Sequence, residues 1–244
     1  YSVNTVSVQI LEKAGITNTI SLAHRMGIKS EIKPVPSIAL GTADISITEM
    51  VTAYACLANK GKVPEPVYLT AIATHKNETL ERFTPAKQQQ ALSAESAQMI
   101  VSMLKRVVNE GTAAGLRSRF GVQNDVAGKT GTTQSNTDGW FMAITPKLVI
   151  GTWVGADDPR IRFRSTALGQ GARTALPITG DFLRAAGQDA SLNDVTQARF
   201  AALPRSLGRK LDCELSKEDG NIITRIFGKR DKDKEKKKEF GKKE

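Results

Sequence analysis

Residues 126–141 of the 244-residue chain, VAGKTGTTQSNTDGWF, set Lys129, Thr130, Gly131 and Thr132 side by side on a segment with the character of a strand. Alternation along an extended chain points Lys129 and Gly131 one way and Thr130 and Thr132 the other, and strand twist still lets all four line one cleft at an edge. An edge strand offers backbone N–H and C=O groups to an extended peptide. Threonine hydroxyls and a lysine charge add a carboxylate site, and glycine lets a ligand approach the backbone. The implied ligand is a peptide C-terminus. Alone, the tripeptide Lys-Thr-Gly is weak evidence, since it arises by chance in roughly 3% of chains this long.

Other reactive residue types show no partner spacing. His24 and His75 support neither a catalytic triad nor a metal site. Cys56 falls on the apolar side of a helical pattern and reads as a small core residue. Cys213 lies in a polar stretch, and a disulfide between the two stays an open alternative. Trp140 and Trp153 are expected on neighbouring strands as core or cleft wall.

The elements that must position the cluster are legible from periodicity. Ser46 and Glu49 make a capping box before Ile47, Met50, Val51, Tyr54 and Leu57 at helical spacing, with Gly61 as the stop. The runs VYLTAIATH and TLERFT, separated by KNE, predict a hairpin. Ser93 opens a second helix with Met99, Ile100, Met103, Leu104, Val107 and Val108 on one face, ending near Gly111. Gly111 and Thr112 are expected to end that helix, with a supporting role near the cleft as the lesser reading. Three runs, VAGKTG, GWFMAIT and LVIGTWVGA, then predict an antiparallel meander, with a turn at Pro146 and Lys147 and a covering helix over 178–186. Helices, then strands, then a helix predict an α+β fold.

That order of segments resembles the transpeptidase domain of class A penicillin-binding proteins, the bifunctional enzymes that build peptidoglycan. The resemblance rests on YSVNTVSVQILEKAG at the start, PSIALGTADISITEMVTAYACLANKG in the middle, MLKRVVNEGTAAGL before the strands, AGKTGTTQSNTDGWFMAITPKLVIGTWVGADD through them, and TALPITGDF after them. These segments span residues 1–183 in the family's order. The fold implied is the penicillin-recognising, β-lactamase-like serine transpeptidase fold, here expected to be truncated at its N-terminus.

The family's active site carries three signatures, Ser-x-x-Lys, Ser-x-Asn and Lys-Thr-Gly. Ser2 and Asn4 match the second, and Lys129, Thr130 and Gly131 the third. The resemblance implies acyl transfer from a D-Ala-D-Ala stem peptide through a serine ester. It assigns Ser2 to proton relay, Asn4 to holding the substrate amide, Lys129 to steadying the proton network, and Thr130 and Thr132 to the terminal carboxylate. It also gives the Thr132 N–H half of an oxyanion hole, worth about 3 kcal/mol by comparison with measured donors. No cofactor and no metal are implied.

The nucleophile motif should precede Ser2, where only Tyr1 stands, so the expectation is a piece of a longer enzyme that is inactive by itself. SMLK (102–105) and SEIK (30–33) spell the motif, but the first lies in a segment with another role and the second runs into Pro34. The SLN at 191–193 repeats Ser-x-Asn in the wrong order and is taken as chance. Other readings are a D,D-carboxypeptidase or β-lactamase, in which water takes the acyl group, and a non-catalytic domain that binds stem peptides or β-lactams.

The expected domains are 1–187 for the transpeptidase part, 188–228 for a weakly structured extension, and 229–244 for a charged, disordered tail. That tail has nine Lys or Arg against five Asp or Glu, supplying +4 of the net +10. Lacking aromatic interleaving, it argues against nucleic acid as a partner. No run of ~18 apolar residues reads as a membrane span, so a membrane anchor is expected upstream. The implied location is the periplasmic, extracytoplasmic side of the inner membrane, among cell-wall synthesis partner proteins. With family strands missing, three sheet strands with an exposed edge, uncovered apolar helix faces and a tendency to aggregate are expected.

Overall fold

A computed structural model describes residues 2–85, 87–158 and 160–211. The described residues up to Ala202 form one compact unit, and residues 203–211 belong to a second. The possible disulfide of Cys213 and the charged tail lie outside the described residues.

The first unit opens with helices α1 (Asn4–Ala14) and α2 (Ile16–Arg25). A 3-10 turn over Pro36–Leu40 leads to α3 (Ile47–Ala58). Ser46 caps α3 as its capping box predicts, its hydroxyl accepting the Glu49 N–H while the Glu49 carboxylate accepts the Ser46 N–H. The helix ends at Asn59, two residues before Gly61, which takes a positive φ of 83° with its N–H on the Cys56 carbonyl. Strands β1 (Lys62–Val63), β2 (Ala71–Ala73), β3 (Thr79–Arg82) and β4 (Gln89–Gln90) follow. β2 and β3 form the expected hairpin, and β1 pairs with β4.

Glu49 does more than cap. Its two oxygens also accept the N–H groups of Lys29 and Ser30 and the Ser30 hydroxyl, which pins the 29–30 loop to the start of α3. The Ser46 hydroxyl first, then the Ser30 hydroxyl, hold the carboxyl down to about 2 from its ordinary 4.5, against an opposing desolvation. A carboxyl lowered in the folded state stabilises fully above its unfolded pKa, and that stabilisation is lost as pH falls toward 2. Glu49→Gln is therefore expected to cost about 1 kcal/mol at pH 7, once solvent screening of this partly exposed group is allowed for. In thermal melts the gap between wild type and variant should narrow as pH drops from 4.5 toward 2. A constant gap would contradict this role.

Helix α4 (Ala94–Glu110) starts on the Ser93 cap and stops at Gly111. Its buried side chains are Ala97, Val101 and Val108, whereas Met103, expected inside, is 46% exposed. Residues 97, 101 and 108 lie at i, i+4 and i+11 on one stripe, and the neighbouring sheet rather than the bulk of the side chains sets which stripe turns inward. A short α5 (Gly115–Ser118) precedes the meander β5 (Ala127–Thr132), β6 (Gly139–Ile144) and β7 (Val149–Val154), antiparallel in that order. After α6 (Thr166–Gly169), helix α7 (Ala175–Gln188) begins three residues before its expected start.

The sheet is packed on both faces, giving an α+β unit. Val126, Phe141 and Ala143 meet Leu116 of α5 and Ala175, Leu176 and Leu183 of α7, while Ala127 and Ile144 meet Leu57 of α3 and Val101 of α4. The period-2 alternation of β6 explains the split, since Phe141 and Ala143 share one face and Ile144 takes the other. β7 pairs only with β6 among the described residues, and Ile178 and Phe182 of α7 are 54% and 51% exposed.

Residues 190–196, expected to be weakly structured, form a 3-10 turn and α8 (Asn193–Thr196). Long-range polar contacts invisible to local composition hold this segment. The buried Asn124 amide donates to the Thr196 carbonyl, and Asp125 accepts the Phe200 N–H while pairing with Lys105 at 2.7 Å. The described part of the second unit is α9 (Arg205–Leu211). Among the described residues, no helix is long and apolar enough to cross a membrane.

Candidate active site

The strand β5 carries Lys129, Thr130, Gly131 and Thr132 at its exit end, where burial falls from complete at Ala127 and Gly128 to exposed at Thr132. Its approach is braced from behind. The Arg117 guanidinium donates to the carbonyls of Val122 and Asn124 at 2.6 and 2.8 Å, which satisfies the turn that feeds the strand.

Beyond Thr132 the chain turns through residues 133–138. The Asp138 carboxylate accepts the hydroxyls of Thr133 and Thr137 on one oxygen and the Trp153 indole N–H at 2.9 Å on the other. Ser135 and Asn136 take positive φ values of 60° and 58°, an expense of order 1 kcal/mol or more each for residues with a side chain. These contacts hold the turn in one shape, so the strand end is fixed from both sides. Trp140 and Trp153 face each other across β6 and β7 as expected, with ring centroids 6.4 Å apart.

Ser2 and Lys129, 127 positions apart, meet at this end. The Lys129 ammonium donates to the Thr130 carbonyl at 2.7 Å and to Ser2 Oγ at 3.4 Å. Burial of the amine, which penalises the charged form, lowers its pKa from the usual lysine value. Asn4 opens α1 two residues after Ser2 and is exposed. Gly131 has a second reason to be glycine beyond ligand approach, because a Cβ there would stand 3.1 Å from the Cβ of Trp140 on the paired strand.

Two residues assigned to lesser roles, or to none, reach the strand. Thr112 Oγ1 lies 2.7 Å from Thr130 Oγ1, and the Gly171 N–H donates to Thr132 Oγ1 at 3.0 Å. From the sequence Thr112 reads chiefly as a helix-end residue, with a supporting role near the cleft as the lesser reading. Gly171 had no signal, because its role depends on where residues 169–174 cross the sheet.

The competing motif spellings are engaged elsewhere. Lys105 of SMLK is committed to Asp125 and stands 5.7 Å from the Phe200 ring centroid. Ser30 of SEIK donates to Glu49, and residues 30–33 are not helical. Ser191 of SLN donates to Asp189. Among the described residues no group of His, Cys, Asp and Glu could hold a metal ion. Cys56 is buried, and desolvation pushes its thiol up to about 11, which suits packing rather than reactivity.

A cavity of about 650 Å³ lies between α2, the start of α3 and residues 63–68, and its lining includes neither Ser2 nor any residue of β5. The desolvated lysine, Ser2 and the hydroxyls of Thr112, Thr130 and Thr132 converge instead at the end of β5, which makes that end the candidate site.

The family described as the penicillin binding protein transpeptidase domain matches residues 1–166. Penicillin-binding protein 1A of Aquifex aeolicus (strain VF5) is 34% identical over 184 residues, covering 75% of this chain and 24% of the relative. The protein of the same name from Rickettsia typhi (strain ATCC VR-144 / Wilmington) is 29% identical, covering 76% of this chain and 26% of the relative. The chain thus spans about a quarter of the length of these curated relatives. Among solved structures, penicillin-binding protein 1A from Haemophilus influenzae superposes with a TM-score of 0.72 at 24% identity, covering 82% of this chain and 34% of that one. PonA1 from Mycobacterium tuberculosis gives 0.58 at 23% identity, covering 79% and 56%. These structural likenesses establish the α+β penicillin-recognising fold. The family match over residues 1–166 adds the lineage, and the chain belongs to the penicillin-binding protein transpeptidase domain family.

Proposed function

We propose that this chain supplies the carboxylate-holding and proton-relay side of a serine D,D-transpeptidase site that cross-links peptidoglycan in the full-length protein. The observation that carries the reading is the meeting of Ser2, the desolvated Lys129 and the threonine pair at one strand end. A serine hydroxyl attacks the carbonyl between the two terminal D-alanines of a stem peptide. The peptide C–N bond breaks, the proton passes through Ser2 to the leaving amine, and an ester remains on the enzyme. The amine of a second stem peptide then attacks the ester, restoring the serine and forming the cross-link.

In this scheme Lys129 steadies the relay, Asn4 holds the substrate amide, and Thr130 and Thr132 bind the terminal carboxylate. The Thr132 N–H stabilises the developing oxyanion. A β-lactam, with its strained amide and nearby carboxylate, takes the same place. PonA1 from Mycobacterium tuberculosis, whose fold this chain shares, has been solved in complex with penicillin V.

The acylated serine belongs, in this reading, to sequence outside these 244 residues, since Lys105 and Ser30 of the two internal spellings are committed to Asp125 and Glu49. The enzyme works on the extracytoplasmic face of the membrane, with its anchor upstream.

The test is acylation of the full-length protein by a labelled penicillin, followed by peptide mapping. The expected ester sits on a Ser-x-x-Lys serine outside this chain, and the isolated chain takes no label. An unlabelled full-length protein would sink the enzyme reading, and an adduct on Ser102 would overturn the placement of the nucleophile. Release of the acyl group to water rather than to an amine would identify a carboxypeptidase or β-lactamase.

A further inference from the structure

Both threonines of β5 receive a contact from outside the strand, and the direction of each contact matters. A hydroxyl has one proton to give and two lone pairs with which to accept. The Gly171 N–H can only donate, so Thr132 Oγ1 accepts there at 3.0 Å and its own proton is left for another acceptor. At the 2.7 Å contact between Thr112 and Thr130, either oxygen can be the donor. An anion arriving at Thr130 decides the order. Thr130 turns its proton to the anion, and Thr112 donates into the lone pair so exposed. Each threonine then stands in a two-step donor chain ending on the ligand, and a hydroxyl that accepts a hydrogen bond is a stronger donor in turn.

Neither outer partner is explained by local structure. The end of α4 is closed by the N–H groups of Gly111 and Ala113 on the Val107 carbonyl, so the Thr112 hydroxyl is not needed there. Gly171 is buried over the β5–β6 pair, where a Cβ would run into the carbonyl oxygens of Gly131 and Trp140. Only a residue without a side chain brings its N–H that close to Thr132.

We propose that Thr112 and Gly171 are positioning residues that aim the hydroxyl protons of Thr130 and Thr132 at one point, so that the site selects ligands ending in a carboxylate over neutral analogues. This rests on the reading that the two threonines hold the ligand carboxylate. Thr112 tunes the site from the α4–α5 turn and Gly171 from the crossover before α7, two segments that share no contact with the relay at Ser2 among the hydrogen bonds described.

The experiment compares acylation rates of the full-length protein by a penicillin and by its carboxylate methyl ester, for wild type, Thr112→Val, Thr112→Ser and Gly171→Ala. Thr112→Val keeps the side-chain volume and removes only the hydroxyl. It should slow the acid about fivefold, the scale of one neutral hydrogen bond lost behind the donor to the anion, and change the ester by less than about twofold. Thr112→Ser should restore the acid rate, and Gly171→Ala should show the same selective loss. Should Gly171→Ala fail to fold, the valine and serine pair at 112 decides. Equal losses for acid and ester, or no loss for either, would overturn the proposal. A wild-type protein acylated by neither compound would instead remove the transpeptidase reading on which it stands.

Discussion

Replacing Lys129 with methionine is expected to reduce penicillin acylation of the full-length protein by about 10²–10³-fold, the scale seen when one preorganised electrostatic group is removed. Its thermal midpoint should stay level or rise. The two effects have one cause. The amine is held in a desolvated position, 2.7 Å from the Thr130 carbonyl and 3.4 Å from Ser2 Oγ, and that burial lowers its pKa. A lysine with a depressed folded-state pKa binds its proton less readily when folded than when unfolded. Stability therefore rises with pH through the window between the folded and the unfolded value, near 10.4 for a free lysine. Read downward, that contribution is complete above the unfolded pKa and lost as pH falls through the folded one. At neutral pH burial disfavours the charged amine, so removing it at constant length should relieve the fold while silencing the proposed relay. Melting curves and labelling rates on the same samples check both halves. A midpoint lowered by more than about 5 °C would mean that Lys129 holds the fold instead, since that shift corresponds to roughly 1–2 kcal/mol in a unit of this size.

Phe141→Ala is expected to produce the largest loss of stability in the first unit. Phe141 is completely buried at the centre of β6, in the cluster formed by Leu116, Val126, Leu176 and Leu183. Its removal costs about 3–5 kcal/mol, the sum of lost transfer free energy and an uncollapsed cavity. For a unit of about 200 residues that corresponds to a drop of about 10 °C in the midpoint. Because Phe141 pairs with Thr130 across β5 and β6, the same change should loosen the strand end and slow acylation as well. Denaturant unfolding with an unchanged slope would read out the free energy directly. A loss below about 1 kcal/mol would show that the cluster repacks around the gap, as well-tolerated core substitutions do.

Where the pattern is local, the chain announced it. The capping box at Ser46 and Glu49, the helical stripe of α3, the hairpin β2–β3 and the three-strand meander all depend on residues within a few positions of one another. Short-range sterics and a fixed periodicity decide these, and both are written in consecutive letters. The face of α4 was misjudged at Met103 because periodicity marks a stripe but not which neighbour it will meet. The segment 190–196 looked loose because its anchors, Asn124 and Asp125, lie some 70 positions upstream. Gly131 reads in the sequence as room for a ligand to approach, and only the pairing of β5 with β6 adds the second reason, Trp140, whose Cβ would crowd any side chain there.

The candidate site divides along the same line. Lys129, Thr130, Gly131 and Thr132 are contiguous, so their residue types and spacing alone suggest the carboxylate-holding strand proposed above, and the order of longer segments announces the family. Tertiary structure alone decided that Ser2 would stand 3.4 Å from Lys129, that Thr112 would join Thr130, and that Gly171 would supply an N–H to Thr132. The physical reason is that a strand's chemistry is set by what its sequence places on it. The direction of each hydroxyl and the charge state of the lysine are set by atoms from other elements, which only the packing of helices on the sheet brings within hydrogen-bonding reach.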